Sequence, residues 1–146
     1  MFSRIRKKFV GYKELKYLAY HDSMTGLYNR NWLYKNLDSL QYKYVYFIDI
    51  NDLKKVNTRG HTYGDVHIKE IVNHLKYRMH SRKDVLIRYA GDEFILFTDE
   101  NYSMSIETCK FYSVGWCDLS LFSIEECINI ADGMMMENKK KFKTKK

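Results

Sequence analysis

Arg88-Tyr89-Ala90-Gly91-Asp92-Glu93-Phe94 joins two β-rich runs, residues 84–89 and 93–97. So short a connection is typical of a tight hairpin, in which the glycine is expected to supply a permissive backbone conformation. The bend of this predicted hairpin carries two adjacent acids, Asp92 and Glu93. The local sequence therefore predicts a pair of antiparallel strands with carboxylates at the turn that joins them.

A third β-rich run, residues 43–49, also ends in an acid and is the predicted central strand. If it neighbours the hairpin, Asp49, Asp92 and Glu93 converge at one edge of the sheet. Oxygen ligands on rigid strand ends are what Mg²⁺ requires, and a pair of such ions could activate a ribose hydroxyl and neutralise a triphosphate leaving group. From position alone, a strand terminator and ordinary turn residues explain the three acids equally well.

The rest of the chain supplies helices and one further strand. Apolar residues at intervals of three or four predict the helices, and a β-like stretch precedes the last of them. The predicted helices are residues 4–19, 29–40, 52–57, 63–80 and a last one from Ser123, with Ser123 and Glu126 as its capping box, and the further strand is residues 109–116. Strands interleaved with helices predict an α+β fold with a mostly antiparallel sheet and flanking helices.

The composition suits one compact domain, since the chain has 146 residues of which 45% are apolar and 29% charged. Every apolar run is far shorter than the about 20 residues of a membrane-spanning helix, and no cleavable signal follows the basic start. We therefore expect a cytoplasmic protein with no membrane span. Three cysteines without C-x-x-C spacing indicate neither a disulfide framework nor a zinc site.

The net charge of +7 comes from the two ends of the chain. Residues 1–20 hold six bases against one acid and residues 139–146 hold six lysines, whereas residues 21–138 hold 13 bases and 17 acids. Basic ends are more often solvated tails than readers of nucleic acid, so no DNA or RNA partner is expected. The expected organisation is a basic amphipathic helix at residues 1–20 followed by one domain at residues 21–146.

Five segments stand out in chain order: HDSMTGLYNR (21–30), DINDLKKVN with GHTYGD (49–65), RYAGDEF (88–94), SVG (113–115) and the helix 123–139. In the same order they resemble the motifs of the GGDEF domains, the diguanylate cyclases. The matched patterns are D-x-L-T-G-L-x-N-R, D-x-D-x-F-K-x-x-N-D-x-x-G-H-x-x-G-D, R-x-G-G-D-E-F, S-x-G and the Ala-Asp pair of the closing helix. The series spans residues 22 to about 143, which identifies residues 21–146 as a GGDEF-like catalytic domain with an A-G-D-E-F signature.

The resemblance implies a minimal member of the family that lacks a sensory domain. The family's fold is like the palm of nucleotide polymerases, a ferredoxin-like and mostly antiparallel sheet with flanking helices. Its members condense two molecules of GTP into cyclic di-GMP with release of pyrophosphate, in a reaction that uses Mg²⁺ or Mn²⁺. Because each subunit holds one GTP and the product is two-fold symmetric, a homodimer is implied.

The resemblance also implies roles for individual residues. Asp49, the carbonyl of Ile50 and Asp92 would hold the metal ions, and Asp92 or Glu93 would help deprotonate the ribose 3′-hydroxyl. Six further residues would bind GTP: Asn57 and Asp65 at the guanine, Gly91 beside the nucleotide, and Lys54, Lys139 and Lys143 at the triphosphate. A carboxylate such as that of Asp65 accepts from ring N–H and amino donors that adenine does not present together.

Several departures from the family pattern bear on function. Ala90 replaces the first glycine of the signature, the loop 57–60 is one residue shorter than in the family, and Asn51 replaces the second strand-end aspartate. Ser81 stands where the R-x-x-D product site has an arginine. From Ser81 we predict weak or absent inhibition by the product.

The largest departure is the loss of the usual helix between the hairpin and the S-x-G strand, where only residues 98–110 are available. An apolar sheet face is unlikely to stay uncovered in water, so we expect the N-terminal helix or a second subunit to cover it. Two alternatives to a diguanylate cyclase stay open. One is a palm-type cyclase that makes another cyclic dinucleotide, and the other is a catalytically degenerate GGDEF module that binds nucleotide or a protein partner.

Overall fold

A sheet with helices on both faces forms the body of the computed structural model, which describes residues 2–145 and, from residue 11 onward, their side chains. The elements are, in chain order, α1 (Phe2–Tyr20), β1 (Tyr28–Asn29), α2 (Arg30–Asn36), a 3-10 turn (Leu37–Ser39), β2 (Tyr44–Ile50), α3 (Leu53–Asn57), α4 (His61–Arg78), β3 (Val85–Arg88), β4 (Glu93–Thr98), β5 (Tyr112–Asp118) and α5 (Ile124–Thr144). The strands lie in the order β1-β3-β4-β2-β5; β1 and β3 are parallel, and the other neighbours are antiparallel. The predicted α+β fold is confirmed.

Strand β2 lies between β4 and β5 and is buried on both faces. Such a strand reads as a near-continuous apolar run, and its sequence is Tyr-Val-Tyr-Phe-Ile-Asp-Ile. Because side chains alternate along a strand, Tyr46 and Ile48 pack with α4 on one face, whereas Val45 and Phe47 pack with α2 and α5 on the other. Two apolar clusters therefore fix the helices to opposite faces of the sheet.

The strand register brings the acid at the end of β2 to the bend of the hairpin. Asp49 pairs with Glu93 across the β2–β4 ladder. The N–H of Ile50 then donates to the carbonyl of Asp92 at 2.8 Å, which ties the end of β2 to the bend. The prediction that the central strand neighbours the hairpin is confirmed.

The bend of the hairpin does not need its glycine for conformational freedom. Among the described residues, positive φ is found at Asp52, Gly26 and Gly60, and neither Gly91 nor Ala90 is in that region. The sequence-based expectation of a permissive glycine was wrong, because the N–H groups of Tyr89 and Ala90 close the bend by donating to the carbonyl of Glu93 at ordinary backbone angles. The methyl group of Ala90 thus adds no backbone strain.

Several elements end at other residues than the periodicity indicated. The helix expected over residues 29–40 ends at Asn36, and the strand expected from residue 109 begins at Tyr112. Strand β1 was not predicted because two residues carry no period. The capping box of α5 is confirmed: the Ser123 hydroxyl accepts from the N–H of Glu126, and the Glu126 carboxylate accepts from the N–H of Ser123.

Helix α5 lies directly on β5 at Gly115. A Cβ atom at this position would lie 2.0 Å from the carbonyl oxygen of Ala131 and 2.4 Å from the backbone nitrogen of Met135. Only glycine permits so close an approach of a helix backbone to a strand. The contact positions the rest of α5, which runs past the end of β2.

The short segment after β4 covers the sheet face that the absent helix leaves open. Tyr102 and Ile106 are buried among the residues of the α4 face, and the hydroxyl of Tyr46 accepts from the N–H of Tyr102 at 2.8 Å. Helix α1 instead packs on α2, whose Leu33 belongs to the opposite face. The expectation that the N-terminal helix covers the gap was therefore wrong, and cover by a second subunit stays a prediction.

Candidate active site

Three carboxylates meet where β2 ends and the hairpin bends. Oxygen atoms of Asp49, Asp92 and Glu93 all lie within 4.8 Å of one another. Asp49 is buried and the other two are half-buried. The predicted convergence of the three acids is confirmed, and Ile50 lies at the same point through its backbone bond to Asp92.

The cluster carries more negative charge than its surroundings neutralise. Burial raises the pKa of Asp49, and the charges of Asp92 and Asp132 add to that rise while Lys139 opposes it. Burial also raises the pKa of Glu93, again with contributions from neighbouring acids, and the charge of Arg30 opposes it. The ionised cluster is therefore costly unless a further cation joins Lys139 there.

The donor set fits a small divalent cation. Hard oxygen ligands on a rigid edge, with the remaining positions open to solvent and phosphate, are what Mg²⁺ takes in proteins. Asp49 and Asp92, from two neighbouring strands, would hold such an ion, with the carbonyl of Ile50 as a third predicted ligand. Burial and then the neighbouring acids raise the pKa of both Asp49 and Glu93, and a bound cation would oppose both effects.

Asn51 replaces an acid of the family pattern and has a structural role here. Its amide nitrogen donates to the carbonyl of Cys109 at 2.9 Å, and its amide oxygen accepts from the hydroxyl of Ser113 at 2.8 Å. A carboxylate could not donate to Cys109. Asn51 therefore holds the end of the short segment 98–110 against β5. This role explains why a hydrogen-bond donor replaces the acid.

Lys139 reaches the acid cluster from α5. Its ammonium group donates to a carboxylate oxygen of Asp49, and both side chains are largely buried. Lys143, one turn further along α5, is exposed, as is Lys54 on α3. Of the three lysines assigned to the triphosphate, the structure brings Lys139 into the cluster, and the roles of the other two stay predictions.

The two residues assigned to guanine, Asn57 and Asp65, lie at a close contact between α3 and α4. The side-chain oxygen of Asn57 would lie 1.8 Å from a Cβ atom at Gly64, so its amide packs directly on the backbone of the first turns of α4. Asp65 follows Gly64 and is exposed. The shortened loop at residues 57–60 closes when the N–H of Gly60 donates to the carbonyl of Asn57 at 3.0 Å. Gly60 has a φ of +121°, a conformation that favours glycine.

An open cleft of about 410 Å³ lies on the other side of the hairpin bend, beside Ala90 and Gly91. Arg88 fixes the bend by donating to the carbonyl of Gly91 at 2.8 Å and pairing with Asp22 at 3.1 Å. Asp22 is the first acid of the family's opening motif. The ion pair therefore joins the first and third motifs of the chain beside the acid cluster.

Two charged residues of the site were not among the predicted site residues. Asp132 on α5 adds negative charge to both Asp49 and Glu93, and Arg30 adds positive charge to Glu93. The guanidinium group of Arg30 lies 4.5 Å from the centre of the Tyr89 ring. Both residues end or belong to matched motifs, but only the fold shows that they lie near the acids.

The residues at the product-site pattern, 81–84, form hydrogen bonds with Tyr102 of the same chain. The hydroxyl of Tyr102 donates to the carboxylate of Asp84 at 2.6 Å and accepts from the N–H groups of His80 and Ser81 at 3.1 and 3.3 Å. The other carboxylate oxygen of Asp84 is buried without a hydrogen-bond partner among the described residues. This arrangement supports the prediction of weak product inhibition, which stays a prediction.

Within residues 2–145, the helices are all too short or too polar to cross a lipid bilayer.

Comparison with known proteins gives the same family as the motifs. Residues 19–111 match the family described as "Diguanylate cyclase, GGDEF domain". The chain is 31% identical over 101 residues to "Diguanylate cyclase DgcP" of Escherichia coli, covering 63% of this chain and 29% of that protein. It is 36% identical over 109 residues to "Probable diguanylate cyclase DgcE" of the same organism, covering 68% of this chain and 9% of that protein. The chain thus spans less than a third of either relative.

Among solved structures, the coiled coil and GGDEF domain of DgcB from Caulobacter crescentus, in complex with c-di-GMP, has the same fold. The TM-score is 0.75 at 17% sequence identity, and the match covers 95% of this chain and 90% of that one.

Proposed function

The chain belongs to the GGDEF domain family, and we propose that it is a diguanylate cyclase that condenses two molecules of GTP into cyclic di-GMP with release of pyrophosphate. The observation that carries the proposal is the convergence of Asp49, Asp92 and Glu93, whose oxygens lie within 4.8 Å of one another. A module that only binds nucleotide has no need of so costly a group of carboxylates. Retention of Lys54 and Lys139 near the strand end supports the same reading.

A divalent cation, Mg²⁺ or Mn²⁺, would supply charge neutralisation of the triphosphate and activation of the attacking hydroxyl. Asp49 and Asp92 would hold it. Glu93 would accept the proton of the ribose 3′-hydroxyl, since its half-buried carboxylate lies beside the two acids that would hold the metal. Asp92 is the alternative acceptor, because its carboxylate belongs to the same cluster.

Selection of GTP falls to the contact between α3 and α4. Asn57 and Asp65 would bind the guanine edge, with Asp65 accepting from the two adjacent N–H donors of that base. The side chain of Asn57 keeps its place on Gly64 although the loop after it is shortened. The carboxylate of Asp65 would favour GTP over ATP and therefore cyclic di-GMP over an adenine-containing product.

The proposed reaction requires two copies of the chain. Each subunit would hold one GTP, and two such sites face each other when the symmetric product forms. The rate per mole of protein should therefore rise with protein concentration until the homodimer is saturated. A rate per mole that is constant down to concentrations at which sedimentation shows a monomer would contradict this requirement.

The proposal is tested by incubating the purified protein with Mg²⁺ and each of the four nucleoside triphosphates and identifying the products by mass spectrometry. We expect cyclic di-GMP from GTP alone. Asp92→Asn should abolish its formation, whereas Asp38→Asn, which removes an exposed acid elsewhere, should not. An adenine-containing product would favour the other cyclic-dinucleotide cyclase, and nucleotide binding without pyrophosphate release would favour the degenerate module.

A further inference from the structure

Lys139 already provides a cation at the acid cluster. Its ammonium group bonds to Asp49, the most buried of the three acids, and the exposed fraction of its own side chain is 26%. The lysine belongs to a helix held on β5 by the close contact at Gly115. This geometry brings the ammonium group to the same carboxylate that is expected to bind metal.

A divalent cation at Asp49 and this ammonium group would repel each other. A metal ion coordinated by Asp49 would lie next to a positive charge in a partly buried site, where screening by water is weak. Lys139 occupies one oxygen of the Asp49 carboxylate, so a metal ion on that carboxylate would share it with a charged donor. Like-charge repulsion therefore favours release of the more flexible partner, which is the lysine.

We propose that Lys139 is an exchangeable counter-ion of the acid cluster: it neutralises Asp49 before substrate binds, and the incoming metal displaces it, which frees its charge for the triphosphate. The inference rests on the proposed function, because it takes the acid cluster to be the metal site. The substrate brings both halves of the exchange, since its metal competes for Asp49 and its phosphates attract the released ammonium group. Metal without nucleotide should accordingly bind weakly.

The length and position of Lys139 suit this exchange. The ammonium group is at the end of four methylene groups, so it can leave Asp49 without movement of α5. Its neighbour Lys140 is exposed and supplies the same charge to the surroundings without lying in the cluster. The chain therefore offers a matched control in which an adjacent lysine of the same helix is removed.

The test is a titration of the nucleotide-free protein with Mn²⁺, followed by the loss of the free-ion signal in electron paramagnetic resonance. Lys139→Met should bind Mn²⁺ roughly 3- to 10-fold more tightly than the wild type, because the competing cation is gone. Lys139→Arg keeps a cation and should stay near the wild-type affinity, and Lys140→Met should do the same. Melting temperatures with and without Mn²⁺ report whether each variant is folded.

The outcomes separate this inference from the proposed function. If Lys139→Met binds Mn²⁺ no more tightly than the wild type while Asp92→Asn loses binding, the exchange is overturned and the metal site stands. If neither the wild type nor Lys139→Met binds Mn²⁺ at millimolar concentration, both the exchange and the proposed metal site are overturned. A gain in Lys140→Met as large as in Lys139→Met would reduce the effect to general electrostatics and also overturn the exchange.

Discussion

Replacing Gly115 by alanine should destabilise the protein by forcing α5 away from β5. The added Cβ atom would lie 2.0 Å from the carbonyl oxygen of Ala131 and 2.4 Å from the nitrogen of Met135. Ordinary contacts of this kind need about 3.5 Å, so the helix must move by more than about 1 Å or the strand must bend. Both obstacles are backbone atoms, which cannot rotate away as a flexible side chain would.

Insertion of one methyl group into a well-packed core typically costs about 1–3 kcal/mol, and the backbone obstacles place Gly115→Ala at about 2–3 kcal/mol. For a chain of this size, a loss of 1 kcal/mol lowers the melting temperature by about 3 °C, so we expect a fall of about 6–9 °C. The measurement is thermal and urea unfolding followed by circular dichroism, without metal or nucleotide.

Gly133→Ala is the matched control on the same helix. A Cβ atom at Gly133 would meet nothing within 4 Å, so alanine there should add up to about 1 kcal/mol through its higher helix propensity. The two substitutions should therefore shift stability in opposite directions. If Gly115→Ala is as stable as the wild type, α5 does not lie on β5 as described, and the placement of Lys139 and Asp132 at the acids loses its basis.

Three further predictions concern the residues around the acids and the shortened segment. Asn51→Asp should lower the free energy of unfolding in urea by about 2–3 kcal/mol. The carboxylate cannot donate to the Cys109 carbonyl, and it adds buried negative charge. Unchanged stability would contradict the structural role of this residue. Tyr102→Phe should lower the free energy of unfolding by about 1–3 kcal/mol, because it leaves Asp84 and two backbone N–H groups without their partner. A variant as stable as the wild type would show that water replaces the hydroxyl. The raised pKa of Glu93 means that its contribution to stability is present at low pH and is lost as the pH rises through the folded value. The urea midpoint of the metal-free protein should therefore fall less between about pH 4.5 and pH 7 in Glu93→Gln than in the wild type, and an equal fall would contradict the shift.

The sequence was sufficient for four of the five strands and for the main feature of the site. A β-rich run ending in Asp49 and a hairpin with Asp92 and Glu93 at its bend bring three acids together once the two are neighbours, and antiparallel pairing of β2 with β4 makes them so. The β-rich apolar runs and the short connection between β3 and β4 carry that information locally. The family motifs added the expected order of the elements.

What the sequence could not show depends on contacts between distant residues. Lys139 and Asp49 are 90 positions apart, and no periodicity links the end of α5 to the end of β2. In the sequence, the replacement of an acid by Asn51 indicates only the loss of a charge. The structure shows that Asn51 donates a hydrogen bond to the carbonyl of Cys109. In both cases a residue's partner is set by packing of whole elements rather than by its neighbours in the chain.

The expectation that α1 covers the sheet face was wrong for a related reason. Length alone showed that a helix is absent after β4, but it did not show that Tyr102 and Ile106 of the remaining segment turn into the core. The backbone hydrogen bond from Tyr102 to Tyr46 anchors that segment to the central strand. This hydrogen bond to the buried Tyr46 holds the segment over the sheet face. The apolar pattern of the sequence does not indicate it.

The claim that the three acids form the metal and substrate site is tested most directly by crystallising the protein with Mn²⁺ and a non-hydrolysable GTP analogue and measuring the anomalous scattering of manganese. We predict a manganese peak at coordination distance, about 2.0–2.6 Å, from carboxylate oxygens of Asp49 and Asp92, with the triphosphate beside it. An analogue bound elsewhere, or manganese away from both carboxylates while the acids keep their present arrangement, would contradict the claim.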